Sequence, residues 1–194
     1  MSNGYPVTFD VPMQKEFDRA HVLLRVVVFW LVGWVPGLLY YVLPAVAALW
    51  VSQKGPQRFL QEDTPKLTSW IRMAMAFYAY LFMFTDKLPL ERPEEVVTLE
   101  VQPGGNPSVG SALLRFFLAI PSAWVLGILY LVAYVMWIVA AIQVLTQGSF
   151  SEGIASFFRG VLAWQARLFV YLGSLVEPYP PFALETGPRP TAAA

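Results

Sequence analysis

The stretch Phe116–Ser151, FFLAIPSAWVLGILYLVAYVMWIVAAIQVLTQGSFS, runs for 36 residues without a charged side chain. At about 1.5 Å per residue a helix needs about 20 apolar residues to cross the hydrocarbon of a bilayer. A second run, Val26–Gln53, is free of charge for 28 residues. The competing reading, a buried helix of a small soluble domain, needs a water-soluble shell around it. Composition does not provide one: 57% of the 194 residues are apolar and only 13% are charged, against about 25% charged in ordinary soluble chains. Both runs therefore predict transmembrane helices. Pro36 and Pro44 interrupt the first and Pro121 the second, so each reads as a short interfacial helix leading into a kinked, tilted span. A tight re-entrant hairpin is the alternative.

Two further segments, Leu67–Thr85 and Phe150–Val176, are apolar but carry Arg72 in the first and Glu152, Arg159, Gln165 and Arg167 in the second. Each crosses with its arginines paired or snorkelling, or lies in the interface with its apolar face down.

An internal duplication organises the chain. Val7-Thr-Phe-Asp-Val11 aligns with Val97-Thr-Leu-Glu-Val101 at a shift of 90, and Leu23–Tyr40 aligns with Leu113–Tyr130 at the same shift with eight of eighteen positions identical. Tyr80-Leu81 and Thr85-Asp86 fall on Tyr171-Leu172 and Val176-Glu177 at a shift of 91. Shared hydrophobicity does not make Arg, Trp, Gly and Tyr recur in step. The expected fold is an all-α integral membrane protein of two tandem units, each a short β-strand plus a transmembrane or interfacial helical hairpin. Unit one covers 5–89 (strand 7–11, helices about 20–52 and 65–85). Unit two covers 90–182 (strand 97–101, helices about 111–146 and 150–176), and 183–194 form a flexible tail. Two like-oriented hairpins imply a pseudo-twofold along the membrane normal, with the two strands on one side, able to pair. Thr64-Pro65 is a helix-start signal, and Gln102–Pro107 reads as a turn.

The sequence offers few groups for chemistry. It has no cysteine and one histidine, so cysteine and histidine-cluster metal sites fall away. No phosphate loop, catalytic triad or carboxylate pair stands at a useful spacing. The expectation is a protein that is not an enzyme and holds no cofactor. Thirteen basic residues balance thirteen acidic ones, which gives no reason to expect nucleic acid as a partner. His21 is the one weak candidate for ligating haem or a pigment; its plain reading is an interfacial or capping histidine.

Arg25 and Arg115 recur where each apolar run begins, as Asp10 and Glu100 recur in the strands. The expected pairs, Asp10–Arg25 and Glu100–Arg115, fasten each strand to its helix, or the arginines meet lipid phosphates at headgroup level. Arg72, Arg159 and Arg167 are further candidates for the headgroup or fastening role. Trp30, Trp34, Trp50, Trp124, Trp137 and Trp164, with Tyr40, Tyr41, Tyr130 and Tyr134, favour the interface or the faces of neighbouring helices.

Phe158-Arg-Gly-Val-Leu-Ala-Trp164, then Arg167, Tyr171 and Tyr179-Pro-Pro-Phe182, resemble a bacterial membrane family, the "domain of unknown function" numbered four-three-eight-nine. Tyr5-Pro6-Val7 is similar to its opening. Leu114-Arg-Phe-Phe-Leu-Ala-Ile-Pro121 is similar to its helix-start segment, with Ser122 where that family often has histidine. Phe84-Thr-Asp-Lys-Leu-Pro89 matches a first copy more loosely. The resemblance implies a membrane protein in two tandem copies and carries no activity.

Taken together these readings predict a non-catalytic accessory or scaffold subunit of a larger bacterial inner-membrane complex, multi-pass, with cytoplasmic termini suggested by the bias of Lys and Arg. Its partners are membrane lipids and other membrane subunits. The alternatives are a lipid-binding or small-solute transport component, and a pigment- or haem-complex subunit.

Overall fold

The computed structural model describes residues 5–88 and 92–185. In chain order these form β1 (Val7–Asp10), α1 (Arg19–Val32), a 3-10 turn (Val35–Leu38), α2 (Leu39–Lys54), α3 (Pro56–Glu62) and α4 (Thr64–Leu81). A second 3-10 turn (Pro93–Glu95), β2 (Thr98–Val101), α5 (Val109–Leu118), α6 (Ile120–Gln147) and α7 (Glu152–Leu172) follow.

Local chemistry sets the boundaries. The Asp18 carboxylate accepts from the Ala20 N–H at 2.9 Å and caps α1; Ser108 and Ser111 form a reciprocal capping box on α5. The first apolar run breaks at Gly33–Leu38, where Pro36 sits in the 3-10 turn, so the helix expected over about 20–52 is two helices. Pro44 remains inside α2. The second run breaks at Ala119, and Pro121 occupies the first turn of α6, where its missing N–H costs no helical bond. Gly148 ends α6 at φ 75°, a left-handed cap that glycine adopts without Cβ strain.

The short α3 replaces a simple turn. It ends at Asp63, buried between α3 and α4, which accepts from Lys54 Nζ at 2.8 Å and Lys66 Nζ at 3.1 Å. Burial acts to raise the Asp63 pKa, but the two lysines outweigh it and hold the carboxyl below its ordinary value.

The strands pair antiparallel, Val7 opposite Val101, Thr8 opposite Glu100, Phe9 opposite Leu99 and Asp10 opposite Thr98. Phe9 and Leu99 point into the core, while Thr98 and Glu100 are exposed. β1 packs on α7 and β2 on α4, and α4 packs on α7. On the far side of α4 and α7 lie the long helices: α1 meets α6, and α2 meets α5 and α7.

The long helices run antiparallel. The Phe17 N–H donates to the Gly148 carbonyl, the Phe29 ring meets Tyr134, and Tyr40 meets Phe116, so early residues of one face late residues of the other. Two spanning hairpins of like orientation set these helices parallel; the observed order corrects that expectation.

Arg19–Lys54 and Val109–Gln147 are long and apolar enough to cross a membrane, and only 17% and 22% of the most apolar 18-residue stretch of each is buried. The core helix of a soluble domain is mostly buried; these are not. The reverse holds for α7, which is buried from Gly160 through Leu172. Gln165 and Arg167 within that stretch face protein.

The register generates the first prediction. Directly opposed residues in an antiparallel pair have Cα atoms about 4.5–5.5 Å apart, within disulfide reach. T8C/E100C should crosslink under mild oxidation, and T8C/T98C, displaced by two positions, should crosslink far less. Peptide mass mapping without reductant checks it; the opposite preference refutes the register.

Candidate functional site: two arginine clamps and an aromatic pocket

A helix leaves its last four carbonyls without intrahelical donors. α4 and α7 solve this alike. After α4 the Phe84 N–H donates to the Ala79 carbonyl and Met83 N–H to Tyr80; after α7 the Leu175 N–H donates to Val170 and Ser174 N–H to Tyr171. Both are Schellman ends. The position that glycine usually takes is held by Met83 at φ 60° and Ser174 at φ 56°, a strained conformation for side-chain-bearing residues.

An arginine closes each end. Arg25, wholly buried, donates from Nε to the Tyr80 carbonyl at 2.8 Å and from Nη2 to the Thr85 carbonyl at 2.8 Å. Its Nη2 also meets Asp86 Oδ1 at 2.6 Å. Arg115 donates from Nη1 to the Tyr171 carbonyl at 2.8 Å and the Val176 carbonyl at 2.5 Å. Each guanidinium lies over an aromatic ring, Arg25 over Tyr80 at 5.0 Å and Arg115 over Tyr171 at 4.6 Å. A cation at a helix C-terminus is favoured by the axial dipole, and a planar fork suits two carbonyls at once.

These contacts correct the expected pairs. Arg25 is bound to Asp86, not Asp10, and Arg115 to backbone, not Glu100. Both arginines fasten helix to helix rather than strand to helix. Asp10 lies 3.6 Å from Arg159, and Glu100 is exposed on the sheet. The recurrence of Thr85-Asp86 as Val176-Glu177 was the signal that pointed to the true partners.

The other arginines also read backbone. Arg72 Nη2 donates to Leu99 O at 3.0 Å, tying α4 to β2. Arg159 Nε donates to Val11 O at 3.1 Å and Nη1 to Glu152 at 3.2 Å. Arg167 Nη2 donates to the Ala183 carbonyl. None of the three is placed to reach out along the apolar helices. His21 is half-buried against the Tyr80 ring at 6.3 Å, and its Nδ1 has no partner among the described residues.

The segment after α7 is a strap. Trp164 meets Phe182, Tyr171 meets Tyr179, and Tyr179 stacks on Phe182. Tyr5 Oη donates to Pro178 O at 3.2 Å. Burial raises the Tyr5 pKa against the opposing pull of Arg167 and Arg115. A Cβ at Gly160 would stand 2.6 Å from the Leu184 carbonyl, so glycine there permits the strap's close approach. Ala183 and Leu184, expected to begin a flexible tail, are held against α7; residues 186–194 of that tail lie outside the described residues. Ser122, in place of the histidine of the resembled family, accepts from Trp164 Nε1 at 2.8 Å in the core.

Between α1, α4 and α6 a pocket of about 540 Å³ is lined by Arg25, Phe29, Trp30, Tyr78, Phe82 and Tyr134, among others. Its wall is mostly aromatic, and Nη1 of Arg25 is unpartnered among the described residues. The described residues hold no cluster of His, Asp or Glu able to bind a metal ion.

Residues 110–183, from α5 through the strap, match the model of a protein family described as Domain of unknown function (DUF4389), in a single copy. The expectation of two tandem copies of that family is not met by the match. Comparison with curated proteins and with solved structures finds nothing that matches the chain.

Two predictions follow from the clamps and the strap. Arg115→Leu leaves two buried carbonyls short of a charged donor, each loss worth about 1–3 kcal/mol; thermal melting in detergent should fall clearly, and an unchanged melt refutes the clamp. Gly160→Val forces the strap off α7. Chymotryptic cleavage between Tyr179 and Leu184 should then accelerate while helix content persists.

Proposed function

We propose that this chain is a membrane-embedded, non-catalytic protein serving as an accessory or scaffold subunit in a larger bacterial inner-membrane assembly. The observation that carries the reading is the apolar exterior of the long helices. Trp30, Leu31, Trp124, Leu131 and Val135 are each more than 60% exposed, and α1–α2 and α5–α6 carry no exposed charge between Ala20 and Gln53 or between Val109 and Gln147. Apolar patches of this kind mark a lipid or protein partner. The polar groups inside the fold are committed to holding helices and strands together, which leaves little for catalysis.

We also propose that the chain is two diverged copies of one unit. The clamp contacts support this: Arg25 to Tyr80 and Thr85 repeats as Arg115 to Tyr171 and Val176, at shifts of 90 and 91. The strand register supports it too, since Phe9 lies opposite Leu99, its own counterpart at the shift of 90. Gln14 N–H donates to Phe84 O as Gly104 N–H donates to Leu175 O. On this reading residues 5–88 are a first copy that has drifted out of reach of the family model.

The aromatic pocket beside Arg25 favours a second reading, in which the chain holds a single lipid: the volume suits an acyl chain, and the free guanidinium N–H suits an anionic head.

Purification in a mild detergent, followed by mass spectrometry of the native complex, separates these. A subunit co-purifies with other polypeptides at fixed stoichiometry, and Trp124→Ser with Leu131→Ser weakens that association. A lone monomer with one retained lipid supports the second reading, and a lone monomer without lipid overturns both.

A further inference from the structure

The position of the small sheet decides how a bilayer can lie against this molecule. Arg159 Nε, about a third of the way along α7, holds the Val11 carbonyl, and Tyr5 Oη holds the Pro178 carbonyl of the strap just beyond the helix, so the two ends of the β1 segment are tied to points on either side of the buried C-terminal two-thirds of α7. The lengths agree: six residue steps from Tyr5 to Val11 span about 20 Å at ~3.3 Å per step, and the thirteen steps from Arg159 to the end of α7 span about 20 Å at ~1.5 Å per step. β1 therefore lies along α7, not across its end. Arg72 of α4 holds Leu99 of β2 in the same manner. The order of layers is sheet, then α4 with α7, then the antiparallel long pair.

If α4 and α7 crossed a bilayer, the sheet would lie at hydrocarbon depth beside them. Its exposed Thr98 and Glu100 and half-exposed Asp10 would face lipid. So would the outer edges of a two-stranded sheet, whose backbone groups have no ladder partner there. An open sheet edge and an exposed carboxylate do not persist in hydrocarbon. The long helices place no such demand. Each is apolar around its circumference because one side rests on the α4–α7 layer and the rest is bare of charge. Their ends are polar at both poles, with Lys54, Glu62, Asp63 and Lys66 at one and Gln147, Glu152, Lys15 and Asp18 at the other.

We infer that the protein enters the bilayer from one side, with the antiparallel pair α1–α2 and α5–α6 sunk lengthwise in a single leaflet and the sheet in water. The partner of the apolar face is the hydrocarbon of that leaflet. This rests on the membrane reading above and replaces four crossings with none. Amphipathic elements at an interface embed by roughly 5–10 Å, about the thickness of one helix layer, which is what this face offers. The approximate twofold that relates the clamps then stands along the membrane normal, and both poles lie at equal depth.

The absence of cysteine makes the test direct. Gln57→Cys, Gln147→Cys and Glu100→Cys, all at exposed positions, are made one at a time in the full chain. A membrane-impermeant maleimide is then applied to sealed right-side-out and inverted membrane vesicles. One-sided insertion labels all three from the same face and none from the other. Labelling of 57 and 147 from the face opposite to 100 establishes two spanning hairpins and overturns the inference. Labelling of 57 and 147 from opposite faces establishes antiparallel crossings and overturns it equally. Thr98→Cys replaces Glu100→Cys should that variant fail to fold. Release of the native chain from membranes by alkaline carbonate, without detergent, marks failure of the membrane reading itself.

Discussion

The fold depends on satisfying carbonyls at the C-terminal ends of α4 and α7 where water does not reach. Each helix ends in a Schellman turn whose left-handed residue is not glycine, a conformation that costs about 1–2 kcal/mol. A buried guanidinium then bridges the helix end to a carbonyl four residues beyond it, Thr85 after α4 and Val176 after α7. Hydrogen bonds from a charged donor are worth about 1.5–3 kcal/mol each, enough to outweigh that strain. Because Arg25 lies on α1 and Arg115 on α5, the same bonds set the angle of each apolar helix against its partner. Loss of a clamp therefore disturbs the exposed layer as well as the buried one.

Arginine serves here because lysine could not. A fork of N–H groups in one plane meets two carbonyls and leaves its flat face for Tyr80 or Tyr171. In the first clamp Asp86 supplies a counter-charge at 2.6 Å; in the second the carbonyls and the ring do the work alone. A buried charge with incomplete pairing is costly. The second clamp is accordingly the one in which each carbonyl contact matters more.

Much of this was legible in the residues. The charge-free runs marked the two apolar helices, the prolines marked their breaks within a few residues, and the shift of ninety marked which side chains would do the same job twice. The strand pairing followed from two alternating pentapeptides. What escaped was depth. Phe150–Val176 reads as a moderately apolar segment with inconvenient arginines, and nothing in its period says that α7 is enclosed by β1, α2, α4 and α6. The arginines looked like lipid or strand partners because an exposed carboxylate is visible in a sequence and a helix-end carbonyl is not. Asp10 was the obvious mate for Arg25; the backbone of Tyr80, with Asp86, was the actual one. The antiparallel order of the long helices was equally hidden, since hydropathy has no direction.

The sheet, the smallest element, ends up constraining the largest question. A two-stranded ribbon has little stability of its own, and this one persists because Phe9 and Leu99 are buried against α7 and α4 while Arg72 and Arg159 hold backbone carbonyls beside it. Its outer face keeps the polar half of the alternation, Thr8, Asp10, Thr98 and Glu100. A face of that composition belongs in water. The apolar layer lies on the other side of one thickness of buried helices, and on the one-sided insertion inferred above water and oil meet the molecule on opposite faces rather than at opposite ends. A protein divided in that direction has its polar groups free to meet soluble partners over the whole sheet face, and its exposed tryptophans free to meet lipid or membrane partners over the other.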